Sequence, residues 1–287
     1  MSVGRKVVVY AGALVLAAWT LIPLVWLAIT SVTPGNEFAR QPLPFWPSNL
    51  DLTNYPRLLG HEATTSSGEV LAASGHSELI VEGLINSAVV ALAVTVISLA
   101  VSIPAAYALA RLEVRWRQTG LLTILATRAI PPIATTIPFY ALFSQFGLSG
   151  TRTGLVIAHL TIAVPLLVWI GTSFFASLPV GLERMARVDG CSRFQAISKV
   201  VVPASIPSIT AMAVIAFLTS WNEFTFALIF NTGSAAQTFP PALASMFFQV
   251  SVPTEVAAAT CLGLLPPLLL AAVFQRYIRK VNFVGIQ

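Results

Sequence analysis

The chain has 287 residues, of which 56% are hydrophobic and 9% charged, with a formal net charge of +5. Soluble domains carry roughly 25% charged residues, so this composition excludes a soluble fold and predicts an all-α integral membrane protein. The basic excess would point to nucleic acid only if it clustered on one aqueous surface, and its placement along the chain excludes that partner.

A helix needs about 20 apolar residues to cross roughly 30 Å of hydrocarbon at about 1.5 Å per residue. Six windows meet that length: 7–31, 84–110, 119–145, 153–178, 204–230 and 255–275. The first follows Arg5 and Lys6, as a secretory leader would. Its apolar run of about 25 residues exceeds the roughly 7–15 of a leader, which predicts a retained span. The organisation is therefore an N-terminal stretch with the first span (1–32), a polar loop (33–83), and a membrane core (84–287) that contains a second polar loop over 178–203.

With the N-terminus inside, Arg5, Lys6, Arg111, Arg115, Arg117, Arg184, Arg187, Arg193, Lys199, Arg276, Arg279 and Lys280 all lie on the cytoplasmic side. Only Arg40, Arg57 and Arg152 fall outside, and Arg128 lies within a span. That asymmetry is the positive-inside pattern, so both termini are assigned to the cytoplasm of a multi-pass protein, with its basic loops against anionic lipid.

The first loop carries Glu37, Asp51, Glu62, Glu69, Glu78 and Glu82. Its first part has the apolar anchors Pro42, Pro44, Phe45, Trp46, Pro47 and Tyr55. Residues 60–77 shift to Ser, Thr, Gly and Ala, which bury little and read as a mobile insertion; a linker and a contact for a partner protein both fit. In the spans that follow, Pro104, Pro131, Pro132 and Pro165 remove backbone donors, with the pair Pro131–Pro132 interrupting the third.

Residues 178–207 read LPVGLERMARVDGCSRFQAISKVVVPASIP. The pattern predicts a short helix over about 182–188, a stop at Asp189 and Gly190, and a second helix capped by Ser192 and running toward Pro203. Tethered between two spans, this helix-turn-helix has no room to read DNA; a plain amphipathic interfacial linker is the simpler alternative.

This segment resembles the EAA loop of ABC-importer permeases, which commonly reads EEAARIDGAS in carbohydrate systems. Glu183, Ala186, Arg187, Asp189, Gly190, Ser192 and Pro203 match in register, whereas Arg184 stands at the expected glutamate and Met185 at the first alanine. Two further blocks are similar to permeases of the MalG type: Ser220 to Leu228 (SWNEFTFAL) and Asn86 to Leu112, with its Ala-Tyr-Ala-Leu-Ala-Arg exit. The resemblance implies a six-helix type I importer permease of the bacterial inner membrane that takes up a sugar or sugar-like solute. It implies partners as well: a second permease subunit of a different sequence, a dimer of ATPase subunits and an extracytoplasmic solute-binding protein. The chain has no GxxxxGK[ST] loop, so no cofactor is expected on it, and ATP with Mg would sit in the partner ATPase.

The same resemblance makes Leu182, Glu183, Arg184, Met185, Ala186, Arg187, Asp189 and Gly190 the ATPase-coupling residues, with Leu182, Met185 and Ala186 supplying apolar burial. Ionisable groups are costly in spans and are functional candidates there. Arg128, His159, Asn222 and Glu223 are the candidate pore or gate residues, with Tyr140 beside them; partner-satisfied structural roles are the alternative. On straight helices Arg128 would lie roughly 14 Å and Glu223 about 28 Å from the cytoplasmic helix starts, too far apart in depth to pair. No cysteine or histidine spacing suits a metal. An importer for another small solute, an ion-gradient-driven secondary transporter and, more remotely, an intramembrane enzyme are the competing functions; no GxSxG or HExxH supports the last.

Overall fold

A computed structural model describes residues 3–38, 45–65, 68–179, 181–248 and 252–278. Arg40, Pro42, Pro44, Arg279 and Lys280 lie outside the described residues. Among the described residues the regular structure is helical apart from one two-stranded hairpin.

In chain order, α1 (Val3–Ser31) is followed by the short helices α2 (Gly35–Phe38) and α3 (Asn54–Leu58), then strands β1 (Ala63–Thr64) and β2 (Val70–Leu71). Next come α4 (Ser77–Arg111), α5 (Arg117–Ala126), a 3-10 turn (Thr127–Ala129), α6 (Pro132–Gln145) and α7 (Arg152–Ser177). The chain continues through α8 (Gly181–Val188), α9 (Arg193–Ala196), a π turn (Ile197–Val201), α10 (Val202–Ala204) and α11 (Ile206–Trp221). It ends with α12 (Thr225–Asn231), α13 (Phe239–Phe248) and α14 (Pro253–Ile278).

Among the described residues four helices, α1, α4, α7 and α14, are each long and apolar enough to cross a membrane. The third and fifth predicted spans are broken. The third splits into α5 and α6, bent by 88° at Ile130–Pro131. Pro131 is extended (ψ 133°) and Pro132 opens α6, as expected where two successive residues lack an N–H. The fifth bends by 75° at Ser205. It does not run on to 230 as the apolar window suggests: α11 ends at Trp221 and α12 begins afresh at Thr225. Asn222 and Glu223 turn their side chains onto nearby backbone, and such residues compete with the helical ladder.

The chain divides into two compact units. The first comprises Met1–Val81 and Ala242–Leu265. In it Ser31 Oγ meets Tyr55 Oη at 2.7 Å, Asn54 Nδ2 donates to Thr254 Oγ1 at 3.3 Å, and Ser74 Oγ donates to the Glu255 carboxylate. Where the sequence predicts a mobile insertion, β1 and β2 pair antiparallel with Ala63 opposite Leu71. Arg57 secures the hairpin's far end, its Nε donating to Ala72 O at 2.8 Å.

The second unit comprises Glu82–Pro241 and Pro266–Gln287. Its core is built along α4, α7 and α11. Val90, Val94, Leu155 and Ala158 pack with Phe143, Phe226 and Phe230; Leu167 packs with Met212 and Ala216; Ala106 and Tyr107 pack with Phe175 and Val201. Asn86, buried in α4, donates through Nδ2 to Ala235 O and Gln237 O and accepts from Arg152 Nε at 2.6 Å. At Gly171 the three helices approach tightly. A Cβ there would stand 2.9 Å from Ala106 Cβ and 3.0 Å from Met212 Cε.

Overpacking at such a contact costs about 1–3 kcal/mol. Gly171→Val is therefore expected to lower the thermal midpoint in detergent by several degrees. Gly120→Ala in α5, where a Cβ meets nothing within 4 Å, is expected to leave it unchanged or raise it slightly.

Candidate functional site

The segment between α7 and α11 folds as its local signals predict. Glu183 lies in the first turn of α8 and Arg187 in the last, each on the side the helix dipole favours. The helix closes through Cys191 N–H to Ala186 O (3.0 Å) and Gly190 N–H to Arg187 O (3.2 Å). This pair of bonds requires a left-handed residue, and Gly190 supplies it at φ +87°. Ser192 then starts α9 with a reciprocal capping box: Gln195 N–H donates to Ser192 Oγ and Ser192 N–H to Gln195 Oε1.

Glu183 is the junction of this segment with the membrane core. Tyr107 Oη in the last turns of α4 donates to Glu183 Oε2 at 2.7 Å, and Arg193 Nε stands 3.6 Å from Oε1. The Tyr107 ring packs edge-on against Phe175 of α7, at 5.9 Å between centroids. Arg111, one turn beyond Tyr107, donates to the carbonyl of Leu178 at the end of α7. Glu183 thus fastens α8 to the end of α4, and Arg111 ties that end of α4 to the end of α7.

Of the residues predicted to couple, Arg184, Met185, Arg187, Asp189 and Gly190 are exposed, and Leu182 and Glu183 are half-buried. Ala186 is buried against its own chain at 6% exposure, so it is not available for burial by a partner. The apolar surface that remains is Met185, Val188 and Phe194, at 68%, 86% and 79% exposure. Val188 and Phe194 were not singled out from the sequence. Tyr107, Arg111 and Arg193 were not singled out either, since nothing local marks a tyrosine in an apolar helix as the partner of a carboxylate 76 positions away.

Of the candidate pore residues, Arg128 falls beside the break of the third span, Asn222 and Glu223 at the α11–α12 junction, and His159 within α7. Glu223 lies between α11 and α12, its side chain only 8% exposed. It accepts from Phe226 N–H (2.9 Å, Oε1) and Ala227 N–H (3.2 Å, Oε2), so the carboxylate caps α12. His159 of α7 is 2% exposed, with Nε2 3.1 Å from Glu223 Oε2 and Nδ1 2.8 Å from Ser220 Oγ. Asn222 is exposed and donates to Leu218 O at 3.0 Å. Tyr140 is exposed, its ring 6.1 Å from that of Phe230.

Arg128 lies in the 3-10 turn at the other break, exposed, with Nη1 donating to Ile162 O at 3.0 Å. The 88° bend just after it means that its depth is not that of a residue on one straight helix. Arg128 lines a cavity of about 260 Å³ with Thr127, Thr135, Phe139, Thr161 and Phe226.

Residues 98–281 match the family of binding-protein-dependent transport system inner membrane components. The sulfoquinovosyl glycerol transport system permease of Agrobacterium fabrum is 30% identical over 93% of this chain and 88% of its own. The trehalose/maltose transport system permease of Thermococcus litoralis is 29% identical over 96% of this chain and 94% of its own. In fold, the chain is similar to a bacterial ABC transporter that imports the acidic polysaccharide alginate, with a TM-score of 0.74 at 21% identity over 97% of this chain and 99% of that one. These likenesses favour the importer permease over the secondary transporter.

A hydrogen bond to a charged acceptor contributes about 1.5–3 kcal/mol. Tyr107→Phe keeps the ring packing and removes that bond. Amide exchange in 181–190 is expected to accelerate several-fold while the global thermal midpoint moves little, as read by hydrogen-exchange mass spectrometry. Glu223→Ala strips the cap from α12 and the partner from His159, and is expected to cost about 1–3 kcal/mol of stability in thermal unfolding.

Proposed function

Because the chain belongs to the family of binding-protein-dependent transport system inner membrane components, and is thus a permease subunit of an ABC importer, we propose that residues 178–203 couple it to an ATPase dimer. The solute is a sugar or sugar-like molecule, a reading supported by relatives that carry sulfoquinovosyl glycerol and trehalose or maltose. The termini and the α8–α10 segment face the cytoplasm, as the basic asymmetry supports. A solute-binding protein delivers on the opposite side. A second permease chain of different sequence completes the path, and ATP with Mg binds in the ATPase subunits.

The observation that carries this reading is the exposed trio Met185, Val188 and Phe194 on a capped helix-turn-helix that its own chain already holds from behind. Large apolar side chains exposed on a segment outside the spans, with charged residues between them in sequence, suit a docking surface. Arg184, Arg187 and Asp189, exposed on the same segment, set orientation and partner choice more than raw affinity. Closure of the ATPase dimer pushes on α8. The Tyr107–Glu183 and Arg111–Leu178 bonds pass that push to the ends of α4 and α7, and the core alternates between its two openings.

Phe194→Asp places a charge at the centre of the docking surface. It is expected to reduce co-purification of the ATPase by about tenfold or more, while the chain still inserts in the membrane. Gly190→Pro forces φ from +87° toward roughly −65° and is expected to abolish solute-stimulated ATP hydrolysis in proteoliposomes. Normal stimulated hydrolysis in both variants would remove this segment from the coupling path.

A further inference from the structure

The cavity at the break of the third span has a composition that a neutral sugar does not explain. We propose that it receives one sugar ring bearing an anionic substituent, a carboxylate, sulfonate or phosphate, with Arg128 as the counter-charge. The proposal rests on the importer reading and specifies its solute class.

The first support is charge. Arg128 sits within an interrupted span, where an uncompensated cation is costly. Among the described residues no carboxylate stands within 4 Å of it. Glu223, on the broken fifth span, is engaged by His159 and by the α12 amides. The one hydrogen bond of the Arg128 guanidinium, to Ile162 O, uses one of five donors. A planar fork of that kind fits the oxygens of a carboxylate, sulfonate or phosphate in pairs.

The second support is the rest of the lining. Thr127, Thr135 and Thr161 spend their hydroxyl protons on the carbonyls of Ile124, Pro132 and Ala158, at 2.7, 2.9 and 2.6 Å. Their oxygens are therefore left as acceptors, the complement of sugar hydroxyl donors. Phe139, half-buried, is backed by the buried ring of Phe226 at 5.8 Å and 17°, and its remaining exposed surface gives the apolar face of a pyranose something to lie on. The volume of about 260 Å³ is just below the roughly 300–1,000 Å³ of small-molecule sites. It suits one ring at a time.

An anionic lipid headgroup offers Arg128 the same chemistry, so the test separates the two sources. The assembled transporter, purified with its co-purifying subunits, is placed in nanodiscs of phosphatidylcholine alone and, in parallel, of phosphatidylcholine with phosphatidylglycerol. Methyl α-glucoside and methyl α-glucuronide, which differ only in the carboxylate, are titrated against thermal stability. Wild type is expected to bind the glucuronide about tenfold more tightly in both lipids, the ratio of one charge-assisted contact. Arg128→Gln should erase the preference, and Arg128→Lys should keep part of it; the lysine variant carries the test if the glutamine variant does not assemble. Equal or absent binding of both glycosides, a preference that survives Arg128→Gln, or one that vanishes when phosphatidylglycerol is present overturns the proposal. If an ATPase subunit co-purifies while the preference is missing, only this inference falls. If no ATPase co-purifies, the importer reading falls with it.

Discussion

In hydrocarbon every backbone N–H and C=O needs a partner, so the groups freed where a span is interrupted are taken up by neighbouring helices, local turns or side chains. This constraint decides where polar residues occur in the present chain. Among the described residues, α1, α4, α7 and α14 are long enough to cross and run without a break even though each contains proline. At the α11–α12 junction the repair is explicit. Glu223 takes two amides of α12 and Asn222 returns a bond to Leu218 O, while Arg128 bonds a carbonyl of the neighbouring α7. The costly residues of the membrane core thus have structural duties first, and any further role is built on positions that the breaks require.

His159 illustrates the consequence. An imidazole buried to 2% exposure between Ser220 and Glu223 ties α7 to the junction of α11 and α12. It presents almost no surface to a solute. Arg128 differs because its break opens a cavity, so its guanidinium faces space instead of a neighbouring carboxylate. Two ionisable residues that look alike in a hydropathy plot therefore have different surroundings, and the geometry of each break sets the difference.

Much of the fold was legible in the sequence because membrane helices announce themselves by length and composition alone. The stop at Gly190 and the cap at Ser192 were legible too, since both are local chemistry. Four things were not. The end of the fifth span at Trp221 lay inside an apolar run that extends to Phe230. The β1–β2 hairpin forms in a segment of small polar residues. The Tyr107–Glu183 and His159–Glu223 contacts join residues more than 60 positions apart in sequence, and no periodicity encodes them. Burial of Ala186 depends on what α8 packs against, which is likewise tertiary.

The proposed coupling requires the capped α8–α9 turn and its attachment through Glu183 to act as a short lever. Caps and a left-handed glycine hold its internal angle, and Tyr107, Arg111 and the packing of Phe175 and Val201 hold its base. A lever transmits displacement only if it is stiffer than the interface that drives it. Spin labels at Arg184 on α8 and Val101 on α4, both exposed, in an otherwise cysteine-free assembled transporter, measure that stiffness directly. Rigid coupling predicts one narrow distance between them that stays the same in the nucleotide-free, ATP-bound and post-hydrolysis states. A distance that shifts or broadens when ATP binds would show that α8 moves independently of α4, and would contradict it.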